Sequence, residues 1–185
     1  MNLKIETGKF KNRRIEAVND PKTRYTTSIL RQAVMNIFDF SGANLLELFA
    51  GSGVFSFEAL SNGAIKSVLV DISSKSINCI LKNAKTLGVL EAIKVIKSDY
   101  RKVFSKLDSQ QFDFIFADPP FDLGYIVELL KLLDKNYSIL EKNGYIIIEK
   151  SKNERYNVDL KHLILNEIRD YSDTELLILQ RKQEE

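Results

Sequence analysis

Three short stretches carry side chains suited to chemistry rather than to a core. Asp118-Pro-Pro-Phe121 follows the apolar run 114–117. Neither proline can donate a ladder hydrogen bond and both fix φ, so a strand must stop at Asp118. That leaves a carboxylate, stiff backbone carbonyls and a ring at its carboxyl end. Glu47-Leu-Phe-Ala-Gly-Ser-Gly53 closes another apolar run, and its glycines let the backbone turn sharply and approach a ligand closely. Asp71, twenty residues after Gly51, stands where an acid accepts hydrogen bonds from two ribose hydroxyls. Asp99, after a third apolar run, is placed to accept from an adenine amino group. Each feature also has a plainer reading, a tight turn for the glycines and a helix N-cap for either acid.

The spacing excludes two nucleotide sites. No Gly-Lys-Ser/Thr follows Gly53, so there is no triphosphate loop, and Ser56 stands where a dinucleotide fingerprint needs its third glycine. The crevice offers acceptors for ribose and adenine but no evident base for phosphate. A nucleoside without phosphates fits, and S-adenosylmethionine, with S-adenosylhomocysteine as its product, is the common cofactor of that kind. The Asp118 corner then has a use. An exocyclic amine on a nucleobase is a poor nucleophile because its lone pair is drawn into the ring. A carboxylate and a backbone carbonyl that accept its two N–H bonds hold it still and favour a more tetrahedral nitrogen. Proline stiffness prepares those acceptors before reaction. Phe121 supplies a face for the unstacked base. Lone His162 and lone Cys79 leave no Ser-His-Asp triad, disulfide framework or zinc site, so no metal is expected.

The elements that must position these residues can be read from periodicity. Residues 3–7 and 13–18 alternate around Gly8-Lys-Phe-Lys-Asn12 and predict a β-hairpin, and 27–39 has helical spacing. Strands are then expected at 45–49, 67–70, 93–96, 112–117 and 145–149, the last introduced by the Asn143-Gly144 turn. Helices are expected between them at 54–62, 74–87, 100–107 and 125–133. Runs 163–168 and 176–179 predict a closing antiparallel pair. Apolar strands separated by helices argue for an α/β fold, a Rossmann-like, seven-stranded, mostly parallel sheet covered on both faces. The division expected is an appendage over 1–42, hairpin plus helix, and a catalytic domain over 43–185.

Net charge is +2, yet residues 1–31 hold eight bases against three acids. A basic front end suggests a polyanion there, with Lys9, Lys11, Arg13 and Arg14 on the hairpin as its contacts; a solvated surface hairpin is the alternative. The start of the chain lacks the apolar segment of a signal peptide, and no apolar run is long enough to span a bilayer. A cytoplasmic, monomeric protein without membrane contact is expected.

These residues resemble the amino-group class of S-adenosylmethionine-dependent methyltransferases, in which a D/N/S-P-P-aromatic motif follows the fourth strand. GKFKNRRIEAV, KTRYTTSILRQAVMNIFDF, LLELFAGSGVFSFEALSNGA and FDFIFADPPF together resemble the RsmD family, bacterial 16S ribosomal RNA guanine-N2 methyltransferases, over nearly the whole chain. The resemblance implies a class I methyltransferase fold and methylation of one guanine N2 in 16S rRNA of the small ribosomal subunit or its assembly intermediate. It implies that Glu47, Ala50, Gly51 and Gly53 hold the methionine end of the cofactor. Asp71 with Ile72 would take the ribose, Asp99 with Tyr100 the adenine, and Asp118, Pro119, Pro120 and Phe121 the target guanine. Thr23, Arg24 and Thr27 would cover the site, Arg24 touching both cofactor and RNA. The chain departs from the family pattern at Tyr25 (proline), Glu47 (aspartate), Asp71 (glutamate) and Phe121 (often tyrosine).

Guanine presents N1–H and N2–H side by side, two donors that one ionised carboxylate can accept. Adenine N6 of DNA or RNA remains the nearest alternative, since related adenine enzymes share the DPPY corner; a protein glutamine amide is disfavoured by Asp118. A nucleic-acid-binding module with an inactive methyltransferase-like fold would be expected to have lost the glycines or Asp118. A dinucleotide oxidoreductase is disfavoured by Ser56 and the DPPF corner.

Overall fold

A computed structural model describes residues 2–20, 26–107 and 110–183 of the chain. Strands β1 (Asn2–Lys4) and β2 (Arg14–Glu16) form the small antiparallel hairpin, and helix α1 (Ser28–Ile37) follows. Then come β3 (Asn44–Leu48), α2 (Val54–Ser61), β4 (Lys66–Asp71), α3 (Ser74–Leu87) and β5 (Ile93–Lys97). The second half holds α4 (Tyr100–Val103), β6 (Phe112–Ala117), α5 (Tyr125–Lys135), β7 (Leu140–Ser151), β8 (Leu163–Tyr171) and β9 (Thr174–Arg181). The main sheet has seven strands in the order β5-β4-β3-β6-β7-β9-β8. Its first five strands run parallel, while β9 lies antiparallel to both β7 and β8, so the expected mostly parallel sheet is observed. Strand order reverses between β3 and β6, the switch point where open α/β sheets open a crevice beyond their carboxyl ends.

Side chains alternate through the sheet into two cores. Leu45, Leu69, Phe114, Phe116 and Ile147 face one layer; Leu46, Val68, Ile115, Ile146 and Ile148 face the other, with α4 and α5. Leu3, Ile5 and Ile15 of the N-terminal segment and Leu30 and Val34 of α1 share the first core with Phe55 and Phe57 of α2. The N-terminal segment is thus packed into the body of the protein. All eight residues of α2 are buried, including Ser56, Glu58 and Ser61. A helix enclosed all round has no solvated face for polar groups, so each of these must find a partner inside.

Two boundaries differ from the sequence expectation. The fifth strand of the parallel set begins at Leu140, and Asn143-Gly144 lies within it. Pairing with β6 jumps from Phe112–Leu140 to Phe114–Tyr145, so the extra residues form an irregularity rather than a turn outside the strand. A Cβ on Gly144 would lie 2.7 Å from the Asp113 carbonyl oxygen, and this close approach explains the glycine. The hairpin strands are shorter than their alternation suggested, because Gly8–Phe10 winds into a 3-10 turn.

Candidate active site

The carboxyl ends of the parallel strands open onto a trough of about 170 Å3, lined by Phe49, Asp71, Ile72, Asp99, Tyr100 and Pro120 among others. Hollows of about 390 and 610 Å3 lie at the amino ends of the strands. Ligands of open α/β sheets bind at the carboxyl ends. The smaller trough is therefore the candidate site, and the acids it gathers are the two assigned to ribose and adenine.

The glycine loop is built as a rigid rim. Phe49 (φ 60°), Gly51 (φ 52°) and Gly53 (φ 76°) adopt left-handed backbone. For the bulky Phe49 this is a strained conformation of the kind that gathers at ligand sites. Its ring lies 4.8 Å from that of Tyr100 and 5.9 Å from that of Tyr125 and forms part of the trough wall. The Ala50 amide donates to Val70 O at 3.0 Å and the Gly53 amide to Ala50 O at 2.7 Å. Asn83, buried on α3, donates to Ser52 O at 3.1 Å and exchanges bonds with the Glu16 backbone, which ties the loop to β2.

Asp71 accepts from the Gly51 amide and from the Ser73 amide, both at 2.8 Å, one on each oxygen. Ser73 supplies the N-cap of α3, as the sequence allowed. A carboxylate has about four lone-pair positions. Two remain on Asp71, one per oxygen, which is the set a ribose diol requires. Asp99 is an N-cap, accepting from the Arg101 amide at 2.9 Å, and it also binds the Arg101 guanidinium through both oxygens. These bonds from Arg101 hold its carboxyl down at about 2. Three of its positions are filled, so one is left for an amino group. Arg101 is the base at the rim that sequence reading missed. Ile72, 65% exposed, offers an apolar face beside these acids. Tyr100 is buried and donates its hydroxyl to Glu128 at 2.6 Å; burial first, then that carboxylate, raises its pKa. The residues present thus fit a nucleoside.

Other assigned residues have different surroundings. Glu47 is buried under the loop, where one oxygen of its carboxyl group accepts from the Ser56 amide at 3.0 Å and from the Ser56 hydroxyl. It supports the loop from below. Ser56, read in the sequence only as a missing glycine, is its partner. Ala50 is also buried, and Thr27 caps α1 by accepting from the Leu30 amide at 3.3 Å. Thr23, Arg24 and Tyr25 lie outside the described residues.

Burial pushes the Glu47 carboxyl up to about 8, against the opposing hydrogen bonds from Ser56. Near neutral pH the folded protein then holds a proton that the unfolded chain releases above about 4.5. Stability from this group is full below that value and is lost as pH rises through about 8. Glu47→Gln removes the dependence. Its melting temperature relative to the parent is expected to climb by several degrees between pH 5 and 9; a constant difference would show that Glu47 is ionised in the fold.

β6 ends at Ala117, and Asp118 follows next to β3, as the two prolines required. Pro119 is buried, Pro120 lines the trough, and Phe121 is half-buried. Asp118 is half-buried, and its Oδ2 accepts from the Thr26 hydroxyl at 3.1 Å. Thr26 carried no sequence signal. Of the corner residues, Pro120 lines the trough, so the turn after β6 abuts it.

The hairpin bases are elsewhere. The Phe10 amide donates to Ser61 Oγ at 2.8 Å, and Arg13 donates to the Thr86 and Leu87 carbonyls. Ser61 and Leu87 end helices that descend from the carboxyl edge of the sheet, so Lys9, Lys11 and Arg13 sit at its amino edge. At 1.5 Å per residue, α3 alone separates them from the trough by about 20 Å. All four hairpin bases are exposed, and Arg13 alone of them closes the carboxyl end of α3 through its bonds to the Thr86 and Leu87 carbonyls.

Comparison with known proteins agrees with this geometry. The chain is 31% identical over 174 residues to the ribosomal RNA small subunit methyltransferase D of Buchnera aphidicola subsp. Acyrthosiphon pisum, covering 90% of each chain. It is 30% identical over 152 residues to the protein of that name from Escherichia coli K12, covering 80% of this chain and 71% of the other. Among solved structures, the yhhF protein of Escherichia coli superposes with TM-score 0.81 at 24% identity over 100% of both chains. A hypothetical protein of Thermus thermophilus does so with TM-score 0.82 at 20% identity, over 96% and 99%. Residues 3–180 match the family model described as Conserved hypothetical protein 95. The chain therefore belongs to that family, the family of the RsmD-type methyltransferases.

Proposed function

We propose that the protein transfers a methyl group from S-adenosylmethionine to the exocyclic N2 of one guanine in 16S rRNA, acting as a cytoplasmic monomer on the small ribosomal subunit or an assembly intermediate. The observation that carries this reading is Pro120, which lines the same trough as Asp71 and Asp99, so the target corner adjoins the nucleoside site. The names of the curated relatives support the choice of ribosomal RNA.

The bound cofactor supplies an electrophilic methyl carbon on a sulfonium. Asp71 holds the ribose hydroxyls with its two remaining acceptor positions, and Asp99 takes one adenine N–H. Asp118 accepts from the guanine N–H edge, and the backbone carbonyls stiffened by Pro119 and Pro120 accept beside it. That grip would leave the N2 lone pair free to face the transferable methyl group. As the N–C bond would form and the carbon–sulfur bond break, with S-adenosylhomocysteine leaving, N2 would become acidic and pass one proton to an Asp118 oxygen or to water. Phe121 presents its ring to the flipped base.

The test is labelled methyl transfer onto naked rRNA and onto small-subunit particles from an unmodified strain, with the product nucleoside identified. N2-methylguanosine is expected, and N6-methyladenosine would overturn the guanine assignment. S-adenosylhomocysteine at a hundred times its dissociation constant should stabilise the fold by about 2.7 kcal/mol, a shift NAD should not produce.

RNA contact by the hairpin, in this reading, is a second grip remote from the target base. Neutralising Lys9, Lys11 and Arg14 together is expected to reduce the slope of log affinity against log salt by about two to three. Arg13 is left intact because it caps α3. An unchanged slope would remove the hairpin from the RNA footprint.

A further inference from the structure

The Thr26 hydroxyl is a donor to the proposed catalytic carboxylate whose own support can be followed into the core. Thr26 is 5% exposed, and its carbonyl accepts from Arg31 Nη1 at 2.6 Å. Arg31, 3% exposed on α1, also donates from Nη2 to Lys4 O at 3.1 Å, and its Nε faces Glu58 Oε1 at 3.5 Å. Glu58, fully buried in α2, is fixed in turn by the Glu6 amide at 2.7 Å and by the Thr7 amide and hydroxyl at 3.3 and 3.1 Å. On the other side of Thr26, Thr27 begins α1. The backbone of Thr26 is thus held from both directions, and its side chain reaches from there to Asp118 Oδ2.

A buried ion pair is a costly way to attach a hairpin; apolar residues of similar volume would serve stability as well or better. This pair does something apolar packing cannot, because the flat guanidinium fork sets the positions of two separate carbonyls at once. One of the two belongs to Thr26, a residue that touches Asp118. Asp118 lies just past the end of β6, beyond the ladder that fixes β6 itself, and the Thr26 hydroxyl is one directional contact on its carboxylate. A hydroxyl donor on Oδ2 restrains the carboxylate plane.

We propose that Thr26, Arg31 and Glu58 form a positioning relay for the acidic corner. Glu58 orients Arg31, Arg31 fixes Thr26, and the Thr26 hydroxyl holds Asp118 in the rotamer that grips the target amine. This inference rests on the methyl-transfer reading above. Arg31 and Glu58 are positioning residues, and they act on turnover only through Thr26.

The test measures kcat, KM for RNA and S-adenosylhomocysteine binding in the full chain. Thr26→Val removes the hydroxyl at constant shape and is expected to lower kcat by about ten- to a hundred-fold, the worth of one hydrogen bond to a charged group. Cofactor affinity and the ligand-induced melting shift should stay unchanged. Thr26→Ser should restore most of the turnover. Arg31→Lys, which keeps the charge but loses the fork, should lower kcat several-fold alone and add nothing in the Thr26→Val background. Wild-type kcat in Thr26→Val, equal losses in the Val and Ser variants, or additive losses in the double variant would each overturn the relay. Asp118→Ala separates this failure from that of the underlying reading. If Asp118→Ala is inactive while Thr26→Val is normal, only the relay falls; if Asp118→Ala still transfers methyl groups, the assignment of the corner falls.

Discussion

Replacing Asp118 with alanine is expected to lower methyl transfer by about a thousand-fold or more while S-adenosylhomocysteine still raises the melting temperature. The magnitude follows from what is removed, a prepared acceptor aimed at the reacting amine, the kind of group whose loss costs several kcal/mol of barrier. The selectivity follows from position. Asp118 belongs to the corner after β6, whereas Asp71 and Asp99, the acceptors proposed for the nucleoside, end β4 and precede α4. Both are oriented by other groups, Asp71 by the Gly51 and Ser73 amides and Asp99 by Arg101. Parallel titrations of turnover and of thermal shift check both halves. Equal loss of both would place Asp118 in the cofactor site.

Glu58→Ala is expected to produce the largest loss of stability of any single change, about 3–5 kcal/mol, or a melting temperature lower by on the order of 10 °C. The substitution leaves the Arg31 guanidinium in the core without its counter-charge and strips acceptors from the Glu6 and Thr7 amides. Apolar burial lost on truncation is a minor part, because the cost of an unpaired buried charge dominates. The double change Glu58→Gln with Arg31→Met removes both charges and should recover much of the loss. Thermal unfolding of the three proteins checks this. A Glu58→Ala protein that melts with the parent would mean that the pair is solvated.

Much of this architecture could be read from the chain, and the failures have physical causes. The prolines at 119 and 120 stop a strand by chemistry local to themselves, so β6 ends where their φ constraint says. Ser74–Leu87 begins after a serine cap and ends at a left-handed glycine, Gly88, and its bounds match the expectation. The β7 boundary failed because Asn143-Gly144 also suits a bulge, and only the Asp113 carbonyl pressing on Gly144 decides between them. The hairpin bases were counted correctly but had no direction in sequence; their place at the far edge depends on which way α2 and α3 run. Of the candidate site, the spacing placed Asp71, Asp99 and the glycine turn at the carboxyl ends of the strands, where they are found. Thr26 gave no such signal, since a threonine before a helix reads as a cap. Glu58 left a usable signal, a single acid in the middle of a helix with no polar face, which must be paired inside the fold. Glu47 reads in sequence as a ligand group, although Ser56 holds it.

The rim at Phe49–Gly53 has one more consequence. Three of its amides are already engaged, Ala50 by the Val70 carbonyl, Gly51 by Asp71 and Gly53 by the Ala50 carbonyl, before any nucleoside arrives. Little chain entropy then remains to be surrendered there on association, so affinity at this edge is limited by contact quality and water release rather than by ordering. Selectivity among purine nucleosides follows the same logic, because a frame that does not yield cannot reshape itself around a poorer guest.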